Sequence, residues 1–381
     1  MLERIPIKSY DNSSFSESLD SLYTQLASHK SIKDIIGLTV FIDVENIDEL
    51  FKKKLQIREA FSNIHPQLPV SVLSQSPNKT MGMEVWINRN NKSIQFNSFN
   101  DINYTLVSDF YGSYVFAFDI SAQKKNLTLH EQAAYSFEEM LKLLKHEGYT
   151  LNQIIRQWNY IPQILNSWKE KDELFQQYQV FNEVREHYFK KNNLDNDFPA
   201  ATGIGINHGN VTIDFLAARP VNDINIQSIQ NPKQINAHQY GQQVLVGSSI
   251  MFSQAKKPPL FERAKLIGNK ESGLILISGT ASITGQNTIG VNNIKQQLQT
   301  TFNNISELIN YARREYPENK YDLKYTYLRV YVKRNVPFDK VIEICRNQYP
   351  GIIMQFVQAD VCRDDLLVEI EGEAEFRIRN S

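Results

Sequence analysis

The chain has 381 residues, 41% of them hydrophobic and 22% charged, enough to bury a sizeable core without disulfide or metal staples. Its 41 Lys and Arg balance 42 Asp and Glu, and the net charge of −1 lacks the basic excess of a nucleic-acid binder. Two cysteines without a CxxC pair point to a reduced, cytoplasmic protein; the N-terminus has no signal-peptide pattern, and no window approaches about 18 uninterrupted apolar residues, so no membrane span is expected.

The length predicts two or three structural units. Residues 36–44 (IGLTVFIDV) and 113–120 (SYVFAFDI) are rich in β-branched and aromatic residues and predict strands. The Asn- and Ser-rich stretch between them, with Trp86, reads as looser. Over 129–144, Ala133, Phe137, Met140, Leu141 and Leu144 recur at helical spacing, and Gly148 ends that helix. A second helical stretch is predicted over 151–189, interrupted by Pro162. FPAATGIGINHGNVTIDFLAARP (198–220) leads from a Gly-rich turn into a strand. Residues 222–259 form a long polar connection, and such connections in compact domains are often functional.

The last third alternates more clearly. Strand 274–277 precedes helix 293–313, whose Ile294, Leu298, Phe302, Ile305 and Ile309 form one stripe. Strand 325–332, helix 337–347 and strands 352–357 and 366–371 follow. That order predicts an α/β (α+β) layer with helices on one face of a sheet. No short-period internal repeat is visible. The expected divisions are an N-terminal α/β domain (1–150), a helical segment with the TGIG strand and long connection (151–255), and a closing domain (256–381).

Several segments offer chemistry. In LLVEIEGEAEF (366–376), strand alternation puts Val368 and Ile370 on one face and Glu369, Glu371 and Glu373 on the other. That second face is either solvated, or it carries a carboxyl acid in an apolar cleft with a raised pKa. In YLRVYVKR (327–334), Arg329, Tyr331 and Lys333 share a face, either an outer polar surface or a grip on an anion. SGTASITG (278–285) is a turn that can present backbone N–H groups and the Thr280 and Ser282 hydroxyls to a carboxylate. TGIG (202–205) lacks the GxGxxG spacing of a dinucleotide site. There is no HExxH or HxxxH pair, P-loop or GxSxG elbow, so no metal or cofactor is expected. Cys362 reads either as a nucleophile or as inert packing.

The elements LILISGTASI (274–283), NIKQQLQTTFNNISELI (293–309), YLRVYV (327–332) and LLVEIEGEA (366–374) resemble the YjgF/RidA superfamily. This resemblance implies a chorismate-mutase-like sheet for 256–381 and a related α/β N-terminal part. WNYIP (158–162), YQVFNEVR (178–185), FPAATGIG (198–205), NPKQINAHQYG (231–241), PLFERA (259–264), SGTASITG (278–285) and ADVCRDDLLVEIEG (359–372) are similar, in order, to the chorismatase family of chorismate hydrolases and hydroxybenzoate synthases. The resemblance implies Glu369 as catalytic acid and Cys362 as the cysteine of benzoate-forming members. It implies Tyr240 and Arg263 as substrate-binding residues, Arg329 as a carboxylate ligand, and Gly279, Thr280 and Ala281 as pocket lining. The expected reaction turns chorismate into a hydroxybenzoate, foremost 3-hydroxybenzoate, and pyruvate, without a cofactor. A dihydrodiol or 4-hydroxybenzoate product, a non-catalytic metabolite binder and an imine deaminase are the alternatives. PGIIMQFV (350–357) lacks the arginine with which the deaminases hold a carboxylate. Monomer and homo-oligomer both stay open.

Overall fold

The computed structural model describes residues 2–379 apart from 12, 79, 90–92, 171–172, 222, 251–254 and 315–319. The first sheet has the order β1-β4-β2-β3 and comprises β1 (Leu2–Lys8), β2 (Ile35–Phe41), β3 (Val70–Leu73) and β4 (Gly82–Asn88). Helices α1 (Phe15–Ala27) and α2 (Ile47–Ser62) connect its strands. The second sheet contains β5 (Ser93–Phe99), β6 (Ile102–Ser108), β7 (Gly112–Ser121), β8 (Ile154–Pro162), β11 (Ala200–Ile206) and β12 (Thr212–Pro220). Its helices are α3 (Leu129–His146) and α4 (Gln177–Lys191), and β9 (Ser167–Glu170) with β10 (Glu173–Gln176) forms a separate hairpin before α4. The third sheet contains β13 (Asn225–Ile229), β14 (Ala264–Gly268), β15 (Ser272–Ala281), β18 (Tyr321–Val332), β19 (Ile353–Gln358) and β20 (Val368–Ile378). A small ribbon of β16 (Ile283–Thr284) and β17 (Asn287–Thr288) and the helices α5 (Ile294–Ala312) and α6 (Phe338–Gln348) complete it.

One unit recurs three times: strand, helix, strand, helix, strand, strand. In each, the third strand runs parallel to the second, and the fourth inserts antiparallel between the first and second. The second and third sheets match throughout, as β5-β6-β7-β12-β8-β11 and β13-β14-β15-β20-β18-β19. The mixed α/β fold expected from the sequence is therefore present. The repeat escapes a sequence search because it lives in strand order and register.

Helices begin where the chain supplies caps. Thr128 and Glu131 form a capping box at α3, and Asn293 caps α5. On the third sheet, Val368, Ile370, Ala374 and Phe376 pack with α5 and α6 in one apolar cluster. The opposite face of that sheet carries Glu369, Glu371 and Glu373, and all three are buried against the rest of the molecule. A second apolar cluster there draws residues from all three large sheets, including Trp86, Trp158 and Tyr331.

The predicted helix over 151–189 is corrected. IIRQWNYIP forms the strand β8, and helix starts only at Gln177. Both faces of β8 are buried, so it shows no period-two alternation to mark it as a strand.

Candidate active site

The second and third sheets meet where β11 lies across the end of β15. The Ala201 N–H donates to Ser278 Oγ at 2.9 Å, Ser278 Oγ donates to the Glu262 carbonyl at 2.6 Å, and the Gly205 N–H donates to the Asp360 carbonyl at 2.8 Å. These bonds fix the walls of a pocket with about 700 Å³ of space. Tyr178, Gln179 and Asn182 come from α4, and Ala201 and Gly203 from β11. The long connection contributes Tyr240, Val244, Leu245 and Val246; Phe261 and Arg263 lead into β14. Gly279 and Ala281 of β15, Cys362, Arg363 and Leu366 before β20, and Glu369 on β20 close it.

Glu369 is 5% exposed, and burial pushes its carboxyl up to about 8. The ionised Glu371 adds to that rise, while Arg156 and Arg263 oppose it. Its carboxyl lies against Gly279, where a Cβ would collide with Oε1. Two residues along the same strand face, Glu371 has the reverse fate. Burial alone would raise it, but Arg329, Arg156 and Arg4 together hold it down to about 2. Arg156 Nη2 donates to Glu371 Oε2 at 2.7 Å, Trp158 Nε1 to Oε1 at 2.9 Å, and the Thr202 hydroxyl to Oε2 at 2.5 Å.

Thr202 ties Glu371 to the backbone of Gly279, beside Glu369. Its Oγ accepts from Arg156 Nη2 at 2.7 Å and from the Gly279 N–H at 3.0 Å. The N–H of Gly279, the residue against which the Glu369 carboxyl lies, is thus already engaged. A carboxyl denied donors to its anion keeps its proton to higher pH.

Arg263, 3% exposed, donates from Nη2 to the Tyr240 hydroxyl at 2.8 Å and to the Ile235 carbonyl at 2.7 Å, while its buried Nε has no partner. Arg363 donates to the Gln286 carbonyl at 2.8 Å, and its guanidinium stands 5.1 Å from the Tyr240 ring centre. Neither arginine forms an ion pair with a carboxylate among the described residues. Burial pushes the Cys362 thiol up to about 12, so it stays protonated at neutral pH.

Of the eight residues to which the family resemblance assigns roles, Glu369, Cys362, Tyr240, Arg263, Gly279 and Ala281 converge on this pocket. Two do not. Arg329 is fully buried in a charge cluster, where it pairs with Glu84 and with Glu371 at 3.3 Å and donates to the Tyr160 and Tyr331 hydroxyls at 3.0 Å. Its fork is spent on protein carboxylates, so it is no substrate ligand. Thr280 points away from the pocket and donates to the Ser278 carbonyl. Sequence reasoning missed Arg363, Thr202 and the α4 face. Tyr178 and Asn182 stand four apart, a spacing that was legible in YQVFNEVR once the helix start was known; Arg363 left no periodic signal.

Comparison with known proteins bears on this architecture. Residues 84–217 match the family described as chorismatase FkbO/Hyg5-like, N-terminal. A chorismatase of Streptomyces hygroscopicus is 30% identical over 247 residues, which cover 64% of this chain and 67% of that protein. A 3-hydroxybenzoate synthase of the same organism is 31% identical over 251 residues, covering 64% and 68%. A chorismatase crystal structure superposes with a TM-score of 0.70 over 98% of this chain and 99% of its own, at 22% identity, which shows a shared fold. The chain belongs to the chorismatase family, a family of enzymes.

Proposed function

We propose that the protein converts chorismate to 3-hydroxybenzoate and pyruvate, with Glu369 as the general acid. The observation that carries this reading is the pairing of a neutral buried carboxyl with two arginines that no protein carboxylate neutralises, in one pocket. Chorismate brings two carboxylates and an acid-labile enol ether. Arg263 and Arg363 each take one carboxylate, and Tyr240, fixed by Arg263, sets the ring between them. Glu369 protonates the terminal methylene of the enolpyruvyl group, which generates an oxocarbenium centre at the ether carbon. Water adds to that centre, and the hemiketal collapses with cleavage of the ether to release pyruvate; the ring then loses its remaining original hydroxyl and a ring proton as water on aromatisation, which returns the water taken up. Pyruvate and hydroxybenzoate together contain the atoms of chorismate, so the net reaction consumes neither water nor an oxidant. Cys362, a neutral thiol on the pocket wall, acts on the ring during aromatisation. The two free cysteines, Cys345 and Cys362, fit a reducing compartment, and we place the enzyme in the cytoplasm.

The test is incubation with chorismate, chromatography of the products and a coupled pyruvate assay. Equimolar pyruvate and 3-hydroxybenzoate from the native chain, with turnover lost in Glu369→Gln, is the expected result. A dihydrodiol or 4-hydroxybenzoate would change the product assignment. Absence of pyruvate would overturn the reading.

A further inference from the structure

The register that unites the three units also locates a second junction of the same build. Pairing of β7 with β12 slips between Ile213 and Phe215, which leaves Phe118 and Asp119 bulged. Pairing of β15 with β20 slips in the same place and leaves Ser278 and Gly279 bulged. Asp119 therefore stands in the second sheet where Gly279 stands in the third. Counting along paired strands, Asn103 takes the place of Arg263, and Val70 of β3 that of Ala201. Thr212 takes the place of Glu369, since Thr212 pairs with Ser121 as Glu369 pairs with Ala281. Even the bond that crosses each junction is reproduced. Ser71 Oγ donates to Asp214 at 3.1 Å, as Thr202 donates to Glu371.

Val70, Asn103 and Asp119 line a cavity with about 460 Å³ of space between the first and second sheets, together with Arg58 and His65. The catalytic carboxyl is missing from its equivalent position. In the catalytic pocket the glycine at this place makes room for the carboxyl of Glu369; this junction holds a side chain of its own there, and that side chain is a carboxylate. Lys54 Nζ, from α2, donates to Asp119 Oδ1 at 2.7 Å, and Arg58 of the same helix binds Oδ2. Lys54 is 4% exposed, so its charge depends on that carboxylate for compensation. Asp119 holds its place at φ 56°, in the left-handed region that disfavours most residues.

We propose that this junction is a second carboxylate-binding pocket, kept closed because Asp119 supplies the carboxylate from within the chain. It goes beyond the chorismate reading and does not rest on it. Lys54 and Arg58 form the anion site, and Asp119 is a tethered ligand that outcompetes any free acid through its effective concentration. Removing the tether opens the site to a small monocarboxylate.

The test uses the full chain with Asp119→Gly, which installs the residue found at the equivalent position of the other pocket, and acetate as probe. Thermal unfolding is followed in sodium acetate and in sodium chloride at equal ionic strength. The variant is expected to melt below the native chain, and acetate to raise its melting point by about 3 °C more than chloride does. The native chain should respond equally to both salts. Adding Lys54→Met should abolish the rescue, and Asp119→Asn, which still fills the space, should show none. Equal effects of acetate and chloride on Asp119→Gly would overturn the proposal, as would full rescue of Asp119→Asn. If Asp119→Gly is recovered unfolded, the same comparison is made on its refolding yield: a higher yield in acetate supports the proposal, and equal yields overturn it.

Discussion

Glu369 and Glu371 are the same residue type, two positions apart on one strand face, and the fold separates their chemistry. Three arginines, an indole and a hydroxyl keep Glu371 charged down to about pH 2, whereas Glu369 binds its proton up to about 8. In the unfolded chain a glutamate loses its proton near its ordinary value, about 4.3. Glu369 therefore contributes stability at lower pH that is lost as pH rises toward 8, because the folded state alone still holds the proton. Glu369→Gln removes that loss. Its urea midpoint should exceed the native one by more at pH 8.5 than at pH 5.5, by of the order of a few kcal/mol in unfolding free energy. An equal difference at both pH values would contradict a proton on the folded carboxyl. Gly279→Ala tests the other side of the same contact. The new Cβ meets Glu369 Oε1, so the carboxyl must swing away, and kcat should fall by about 100-fold while the protein stays folded.

At the scale of the strand, β20 carries two cores on its two faces. The alternation of LLVEIEGEAEF made this face division legible in the sequence, as did the helical stripe of α5. What lies opposite was not legible. Arg4 and Glu84 reach Glu371 and Arg329 from the far end of the chain, and no local pattern announces them. That is why Arg329 reads in sequence as part of a polar outer face or as a grip on an anion, and turns out to be a buried partner of two glutamates. Arg329→Met leaves Glu84 and Glu371 with less compensation and should cost roughly 3–5 kcal/mol of unfolding free energy. Pyruvate release per folded molecule should change far less, since Arg329 does not line the pocket. A variant with native stability and a raised KM would return Arg329 to the substrate.

At the scale of the molecule, the sequence suggests divisions at 1–150, 151–255 and 256–381, whereas the sheets gather 2–88, 93–220 and 225–378. The last unit was the easiest to read because its strands and helices alternate with clear periods. The second was hidden by β8, buried on both faces, and by a hairpin ahead of α4. Despite three sheets, the interior is shared: one apolar cluster takes Phe41 and Trp86 from the first, Trp158 and Leu216 from the second, and Leu276 and Tyr331 from the third. Calorimetry should therefore show one transition with equal van't Hoff and calorimetric enthalpies. Three resolved transitions would mean that the units fold independently.

Threefold likeness within a single chain has a genetic consequence. In a ring of identical subunits, every substitution is copied into each junction, so a change that improves one site alters all of them. Here each junction is encoded separately. Glycine at one junction admits the carboxyl of Glu369, aspartate at the matching place fills another, and neither choice constrains the other. One junction is thereby free to specialise in chemistry while its counterpart drifts toward a purely architectural role.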